Sequence, residues 1–159
     1  MHLTRQELYA FLKTQRYAVI ATTAADGRPQ SALVGFAVTE ELEIIFDTIA
    51  GTRKVANLRS RPDVAIVIGQ DDERTAQLEG VADEPAGEEL SRLKARYLAA
   101  WPDGTERASW NGLVYVRVRP RWCRFSDFKR AGDPVRELTL YTQCPGRDSN
   151  PHDVATTDT

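Results

Sequence analysis

The chain has 159 residues, a formal net charge of −2 and a hydrophobic fraction of 42%, which together indicate one globular domain with a substantial core. The balanced charge argues against non-specific binding to nucleic acid, and no apolar run approaches the roughly 20 residues of a membrane span. Cys123 and Cys144 form no metal-binding pattern and the N-terminus has no signal-peptide pattern, so we expect a reduced, cytoplasmic protein.

The first third of the chain predicts one helix and three strands. A capping box formed by Thr4 and Glu7 begins the helix, and Asp26-Gly27 predicts a tight turn between the first two strands. The predicted helix spans 4–14, and the predicted strands span 17–23, 30–38 and 42–47. In the second strand, mostly large apolar residues alternate with mostly small ones. One face of this strand is therefore predicted to pack in the core. The other face leaves room for a flat molecule, a neighbouring strand or a subunit.

A basic stretch follows the third predicted strand. Residues 48–61 contain no acid and four basic residues, namely Arg53, Lys54, Arg59 and Arg61. Gly51 predicts a sharp turn, and Thr52 predicts the N-cap of a helix that Pro62 stops. Cations in a first helical turn are electrostatically disfavoured, yet two cations, a hydroxyl and free N–H groups suit a bound phosphate. An ordinary capped surface helix with solvated charges explains the same pattern equally well.

The remaining chain predicts four strands and a second long helix. The strands span 63–69, 75–82, 113–119 and 121–125, the helix spans 85–100, and 103–111 is predicted as a loop. Gly80 predicts a β-bulge, and Arg117 and Arg119 alternate with valines, as on a solvated strand face that protects an edge. Six or seven short, mostly antiparallel strands with few helices predict a mainly β fold, a small barrel, over residues 1–140. Residues 141–159, with almost nothing apolar, predict a disordered tail.

The sequence lacks the patterns of hydrolytic, metal-dependent and phosphoryl-transfer sites. The two histidines, His2 and His152, lie near the chain ends, and no His, Cys or carboxylate group has metal-ligand spacing. Neither the G-x-G-x-x-G nor the P-loop glycine pattern occurs. What remains is a helix start suited to phosphate, beside a strand with a small-residue face. This combination is typical of a protein that binds a phosphorylated cofactor and leaves the chemistry to that cofactor.

Four segments carry a family resemblance that covers about residues 7–128. They are ATTAADGRPQSALVGF, FDTIAGTRKVANLRSRP, AQLEG and VRVRPRWCRFSDF, and the most specific feature is T-R-K followed by N-L-R-x-x-P between two strands. In these segments the chain resembles the FMN-binding split-barrel family related to pyridoxamine 5′-phosphate oxidase. The resemblance implies a split β-barrel of six to seven mostly antiparallel strands with flanking helices.

The resemblance also implies a cofactor site. The family holds the flavin phosphate with Ser/Thr-Arg-Lys, lays the ribityl chain along the preceding strand end, and places the isoalloxazine ring against the small-faced strand. The matching residues are Thr52, Arg53 and Lys54 for the phosphate, Asp47 and Thr48 for the ribityl chain, and Ser31, Ala32, Leu33 and Val34 for the ring. Gln77 matches a glutamine that reaches the cofactor, often across a dimer interface.

The function implied by the resemblance is that of a homodimeric, FMN-dependent oxidoreductase that transfers hydride through flavin N5. Its partner would be a small-molecule substrate or an electron donor such as NAD(P)H. A deazaflavin-dependent reductase and a non-enzymatic, stress-related flavin-binding protein are alternatives with the same appearance. Haem-binding relatives need an axial ligand, for which His2 and His152 are poorly placed.

Two positions depart from the oxidases of this family. Those oxidases carry an arginine and a lysine on the second strand, and the matching positions here are near Ala32 and Ala37. A substrate phosphate without matching donors loses the binding energy that would orient its reacting carbon against the flavin. The sequence therefore predicts that this protein does not oxidise pyridoxamine 5′-phosphate efficiently.

Overall fold

The computed structural model describes residues 2–69 and 72–140, so the predicted tail at 141–159 lies outside the described residues. Strands and helices alternate irregularly along the chain. The strands are β1 (Tyr17–Thr23), β2 (Pro29–Gly35), β3 (Ala37–Val38), β4 (Ile44–Ile49), β5 (Asp63–Ile68), β6 (Arg74–Asp83), β7 (Leu113–Asp127) and β8 (Val135–Thr139). The helices are α1 (Arg5–Leu12), α2 (Arg53–Ser60), α3 (Gly87–Ala100) and α4 (Gly104–Arg107).

The strands form one antiparallel sheet in the order β2-β1-β5-β6-β7-β4-β3, with β8 pairing with β7. Contacts between β2 and β4 bring the two ends of this path together, so the sheet curls around its core. This architecture confirms the predicted mainly β split barrel with flanking helices. None of the helices within the described ranges is long and apolar enough to cross a membrane.

Two apolar clusters lie on opposite faces of the curled sheet. Along β4, Ile44 and Phe46 join the main core inside the barrel, whereas Ile45 points to the other face, as the two-residue period of a strand requires. The main core is closed at one side by α1, whose N-cap Thr4 forms the predicted capping box with Glu7. On the other face, α3 covers a second cluster made of Ala37, Ile45, Leu93, Tyr97, Trp101 and Tyr115.

The observed elements differ from the predicted ones mainly at their ends. The predicted strand 30–38 is divided at Phe36 into β2 and β3, and the predicted strand 42–47 begins and ends two residues later. The structure adds β8 and the short helix α4, which lies inside the predicted loop. Gly51 is not among the glycines with positive φ, so its predicted sharp turn does not depend on glycine.

β7 is a single strand of 15 residues, although Pro120 predicted a division there. Opposite Pro120, the pairing with β6 shifts register between Glu79 and Gly80. The irregularity is at the predicted place, but the extra residue is Arg121 of β7 and not Gly80. A proline is tolerated at such an irregularity because the strand does not need its missing N–H there. A Cβ on Gly80 would lie 2.5 Å from the carbonyl oxygen of Arg119, so only glycine allows this close approach.

The prediction that Arg117 lies on a solvated face of β7 is wrong. β7 lies between β6 and β4, and Arg117 is only 4% exposed. Its guanidinium forms ion pairs with Asp83, Glu43 and Glu89. A buried cation needs such partners, and they come from separate elements that the strand pattern does not reveal.

Candidate functional site

A cavity of about 190 Å³ opens beside the start of α2. We call it the α2 cavity. Its lining comes from β1, β2 and α2 and consists of Ile20, Thr22, Gln30, Ser31, Ala32, Thr52, Arg53 and Lys54. The structure thus brings the three predicted phosphate-binding residues together with Ser31 and Ala32 of the small-faced strand.

Thr52 occupies the N-cap position of α2, as predicted, with an extended backbone. Its side chain makes no capping hydrogen bond, and its Oγ1 is buried without a hydrogen-bond partner among the described residues. A buried hydroxyl in this state costs free energy that a bound polar group would recover. This orphaned oxygen therefore points to a ligand in the α2 cavity.

Arg53 and Lys54 occupy the first turn of α2, which contains no acidic residue. Within residues 2–69 and 72–140, neither side chain forms an ion pair. Burial lowers the pKa of Lys54, because desolvation disfavours the charged ammonium. Two unpaired cations at the positive end of a helix form a site that an anion would stabilise.

A polar network supports the wall of the α2 cavity formed by β1 and β2. Asn57, on the second turn of α2, is 8% exposed, and its Nδ2 donates to Thr22 Oγ1 and to Gln30 Oε1, each at 2.9 Å. Thr22 and Gln30 are direct cross-strand neighbours. None of these three residues was predicted from the sequence as part of the site. The burial of Thr22 could have been predicted from the two-residue period of β1, because Thr22 points to the same side as the apolar residues Ala18 and Ile20.

Asp47 and Thr48 do not line the α2 cavity. The Asp47 carboxylate lies on the α3 side of the sheet, where it accepts hydrogen bonds from the Tyr97 hydroxyl at 2.7 Å and from Arg107 Nε at 3.2 Å. Burial and the neighbouring carboxylate raise the pKa of Tyr97, so the phenol stays protonated. Thr48 is buried, and it points to the same side of β4 as Phe46. The roles predicted for these two residues stay predictions.

Leu33, Val34 and Gln77 also lie away from the α2 cavity. Val34 is buried in the main core, whereas Leu33 is 61% exposed on the opposite side of β2. The strand registers place Leu33, Val19, Val67 and Gln77 in one line across β2, β1, β5 and β6, which we call the outer row. Three strand spacings separate Gln77 from β2, and its predicted cofactor contact stays a prediction.

Several solved structures resemble this fold. A heme-binding protein from Mycobacterium smegmatis aligns with a TM-score of 0.74 and 18% identity. The alignment covers 87% of this chain but only 59% of that protein. General Stress Protein 26 from Bacillus anthracis str. Sterne aligns with a TM-score of 0.68 and 21% identity over 86% of this chain and 98% of its own. A FAD-binding protein from Mesorhizobium loti aligns with a TM-score of 0.62 and 15% identity, covering 76% and 92%.

At these identities the structural similarities show a shared fold. No curated protein sequence matches the chain. The sequence profile of pyridoxamine 5′-phosphate oxidase matches residues 4–127, which include every residue that lines the α2 cavity. Because that match covers most of the chain, the protein belongs to the pyridoxamine 5′-phosphate oxidase family.

Proposed function

We propose that this protein binds FMN and holds its phosphate in the α2 cavity. The observation that carries the proposal is the convergence of two unpaired cations, Arg53 and Lys54, on the buried and unpartnered hydroxyl of Thr52. A phosphate monoester supplies both the missing negative charge and acceptor oxygens. When bound, the flavin would supply hydride transfer at its N5 atom, and the chain's own residues would bind and orient it.

The lining of the α2 cavity fits a phosphate better than a haem. Haem iron is held by an axial histidine, cysteine, methionine or tyrosine, and none of these is among the eight lining residues. The lining instead combines cations, hydroxyl groups and an amide. A deazaflavin cofactor would meet the same side chains if it carries a phosphate group. The absorbance spectrum of the purified protein distinguishes a flavin from a deazaflavin.

The size of the α2 cavity has a consequence for the rest of the cofactor. Pockets that enclose a whole small molecule typically measure roughly 300–1,000 Å³. The α2 cavity, at about 190 Å³, is smaller, so the flavin ring must lie against another surface. We propose that a second copy of the chain completes the site as a homodimer. An electron donor such as NAD(P)H, or a small oxidised substrate, would then approach the exposed side of the ring.

The proposed redox reaction is not the oxidation of pyridoxamine 5′-phosphate. Ala32 lines the α2 cavity without offering a donor, and Ala37 is buried under α3, so neither position presents the cation that a second phosphate would need. We expect no saturable production of pyridoxal 5′-phosphate at micromolar substrate. Robust saturable production would overturn this part of the proposal.

The test of the proposal is a double variant, Arg53→Ala with Lys54→Ala. Charge-assisted hydrogen bonds contribute about 1.5–3 kcal/mol each, so the loss of both predicts a decrease in FMN affinity of roughly a hundredfold or more. A matched control, Lys13→Ala with Arg28→Ala, removes the same charge from exposed positions away from the cavity. Fluorescence titration measures FMN affinity in both variants. Equal affinities in wild type and the Arg53–Lys54 variant would show that the assignment is wrong.

A further inference from the structure

Asn57 determines which hydrogen-bonding atoms face the α2 cavity. Its amide has two hydrogens on Nδ2, and both are used: one is donated to Thr22 Oγ1 and one to Gln30 Oε1, at 2.9 Å each. Asn57 and Thr22 are 8% and 3% exposed, so water does not compete freely for these bonds. Asn57, which does not itself line the cavity, therefore occupies one acceptor position on each of these two oxygens.

Thr22 and Gln30 also carry donors. Thr22 Oγ1 and Gln30 Nε2 donate to no residue in the described part of the chain, and the hydroxyl groups of Ser31 and Thr52 in the lining can donate as well as accept. Arg53 and Lys54 contribute further donors, and no lining residue carries a carboxylate. The cavity thus offers hydrogens from two strands and one helix to a single ligand group.

We propose that Asn57 is a positioning residue that makes the α2 cavity select a doubly ionised phosphate. This inference rests on the proposed binding of a phosphorylated cofactor. A phosphate dianion presents three acceptor oxygens and no hydrogen, which matches a lining rich in donors and cations. A singly protonated phosphate carries less negative charge, and one of its oxygens carries a hydrogen. The site therefore prefers the dianion, and Asn57 maintains this preference through Thr22 and Gln30 without touching the ligand.

The expected signature is a pH dependence of FMN affinity. The second ionisation of a phosphate monoester has a pKa of about 6, so FMN changes from monoanion to dianion between pH 5 and pH 7. The charged groups that face the cavity are Arg53 and Lys54 on α2, and β1 and β2 bring none to its lining. We expect wild-type affinity to rise by about tenfold across this interval, the equivalent of one charge-assisted hydrogen bond.

The test compares Asn57→Leu with wild type by FMN titration at pH 5 and pH 7. Without Asn57, Thr22 and Gln30 can turn their acceptor atoms toward the cavity, so the affinity at pH 7 should fall about tenfold and the ratio between the two pH values should become clearly smaller than in wild type. Arg53 and Lys54 keep the remaining preference for the dianion. Gln30→Met, which removes one donor and keeps the side-chain length, should reduce the same ratio and serves if Asn57→Leu does not fold. A control, Thr39→Val, removes a buried hydrogen bond to Glu43 away from the cavity and should leave the ratio unchanged.

The possible outcomes separate this inference from the proposed function. If wild type binds FMN no better than the Arg53–Lys54 double variant, the proposed phosphate site itself fails. If wild type binds FMN and Asn57→Leu loses affinity equally at both pH values, Asn57 is only structural and the inference is wrong. Unchanged affinity and ratio in Asn57→Leu would also overturn it.

Discussion

Lys54 illustrates a conflict between stability and binding at a single residue. Burial lowers its pKa, so the charged form costs free energy in the protein without its ligand. The unfolded chain then binds more protons between the lowered pKa and the ordinary value of about 10.4, and the stability of the folded state rises with pH across that interval. A bound anion reverses the balance, because it stabilises the ammonium.

We therefore predict opposite effects of Lys54→Met on stability and on FMN affinity. Removal of the charge should leave the thermal unfolding temperature of the ligand-free protein unchanged or raised, and should abolish its increase with pH toward 10. FMN affinity should fall by about tenfold or more. Thermal unfolding with and without FMN measures both effects. A ligand-free variant that is clearly less stable than wild type would contradict the assignment of Lys54 as a strained binding residue.

Arg117 provides a second test at the residue scale. Burial alone would raise the pKa of Glu43, but hydrogen bonds from Arg92 and Arg117 outweigh it and lower the pKa. The stability that Glu43 contributes is therefore fully present above its unfolded pKa of about 4.3 and is lost as the pH falls through the lower folded value. Arg117→Met should reduce the free energy of unfolding by about 3–5 kcal/mol at pH 7, because it removes a partner from the buried Glu43 carboxylate.

Urea unfolding at pH 7 and pH 4 measures this change and its pH dependence. The loss of stability on acidification should be smaller in Arg117→Met, because Glu43 is then held less strongly in its ionised form. Arg124→Met is the matched control on the same strand, since its ion pair with Glu137 is half-exposed and should contribute less than about 1 kcal/mol. Equal losses in the two variants would contradict a special role for buried Arg117.

Three of the predicted residues that line the α2 cavity share a local signal. Thr52, Arg53 and Lys54 are consecutive, and cations at a helix start are unusual enough to be noticed in one dimension. Asn57 and Gln30 meet only because α2 packs against the end of β2, and nothing in the spacing of 27 residues predicts that contact. Wall residues of this kind depend on tertiary packing, which explains why sequence reasoning missed them.

At the scale of the element, the bulge between β6 and β7 sets the shape of the longest strand. The Cβ of an alanine at position 80 would lie 2.5 Å from a backbone oxygen of β7, so the two strands would have to separate. We predict that Gly80→Ala lowers the free energy of unfolding by about 1–3 kcal/mol. Gly51→Ala is the control, because its added Cβ meets nothing within 4 Å, and it should be neutral or slightly stabilising. Chemical denaturation of both variants checks the contrast.

Among the strands that were predicted, the less accurate predictions concern those with two buried faces. In β7, Tyr115 and Val116 are both buried although they point to opposite sides, because the barrel core covers one face and α3 covers the other. Simple alternation between core and solvent therefore fails for this strand. In contrast, β5 shows a regular alternation of buried and exposed residues, and its predicted position is correct to within one residue.

For the whole molecule, the outer row is the feature that a single chain leaves unexplained. Leu33 and Val67, which are 61% and 40% exposed, lie on the outer face of the curled sheet, and Gln77 continues the same line. Monomeric proteins rarely leave large apolar patches uncovered. A second copy placed on this face would bury these side chains and would bring its own surface near the mouth of the α2 cavity, whose lining includes Ser31 beside Leu33. The proposed homodimer would therefore account for both the small cavity and the exposed row.

This assembly predicts that Leu33→Asp weakens the dimer even without FMN, because a buried carboxylate at the interface would lack a partner. Phe128→Asp is the matched control, since Phe128 is 65% exposed but lies in the turn after β7 and away from the outer row. Sedimentation of ligand-free protein over a dilution series should show dimers for wild type and Phe128→Asp and monomers for Leu33→Asp. With FMN added, wild type should dissociate only at lower protein concentration, because a ligand shared by two chains stabilises their association by mass action. A wild-type monomer that carries stoichiometric FMN would contradict the shared site and would leave the phosphate contacts of Arg53 and Lys54 standing.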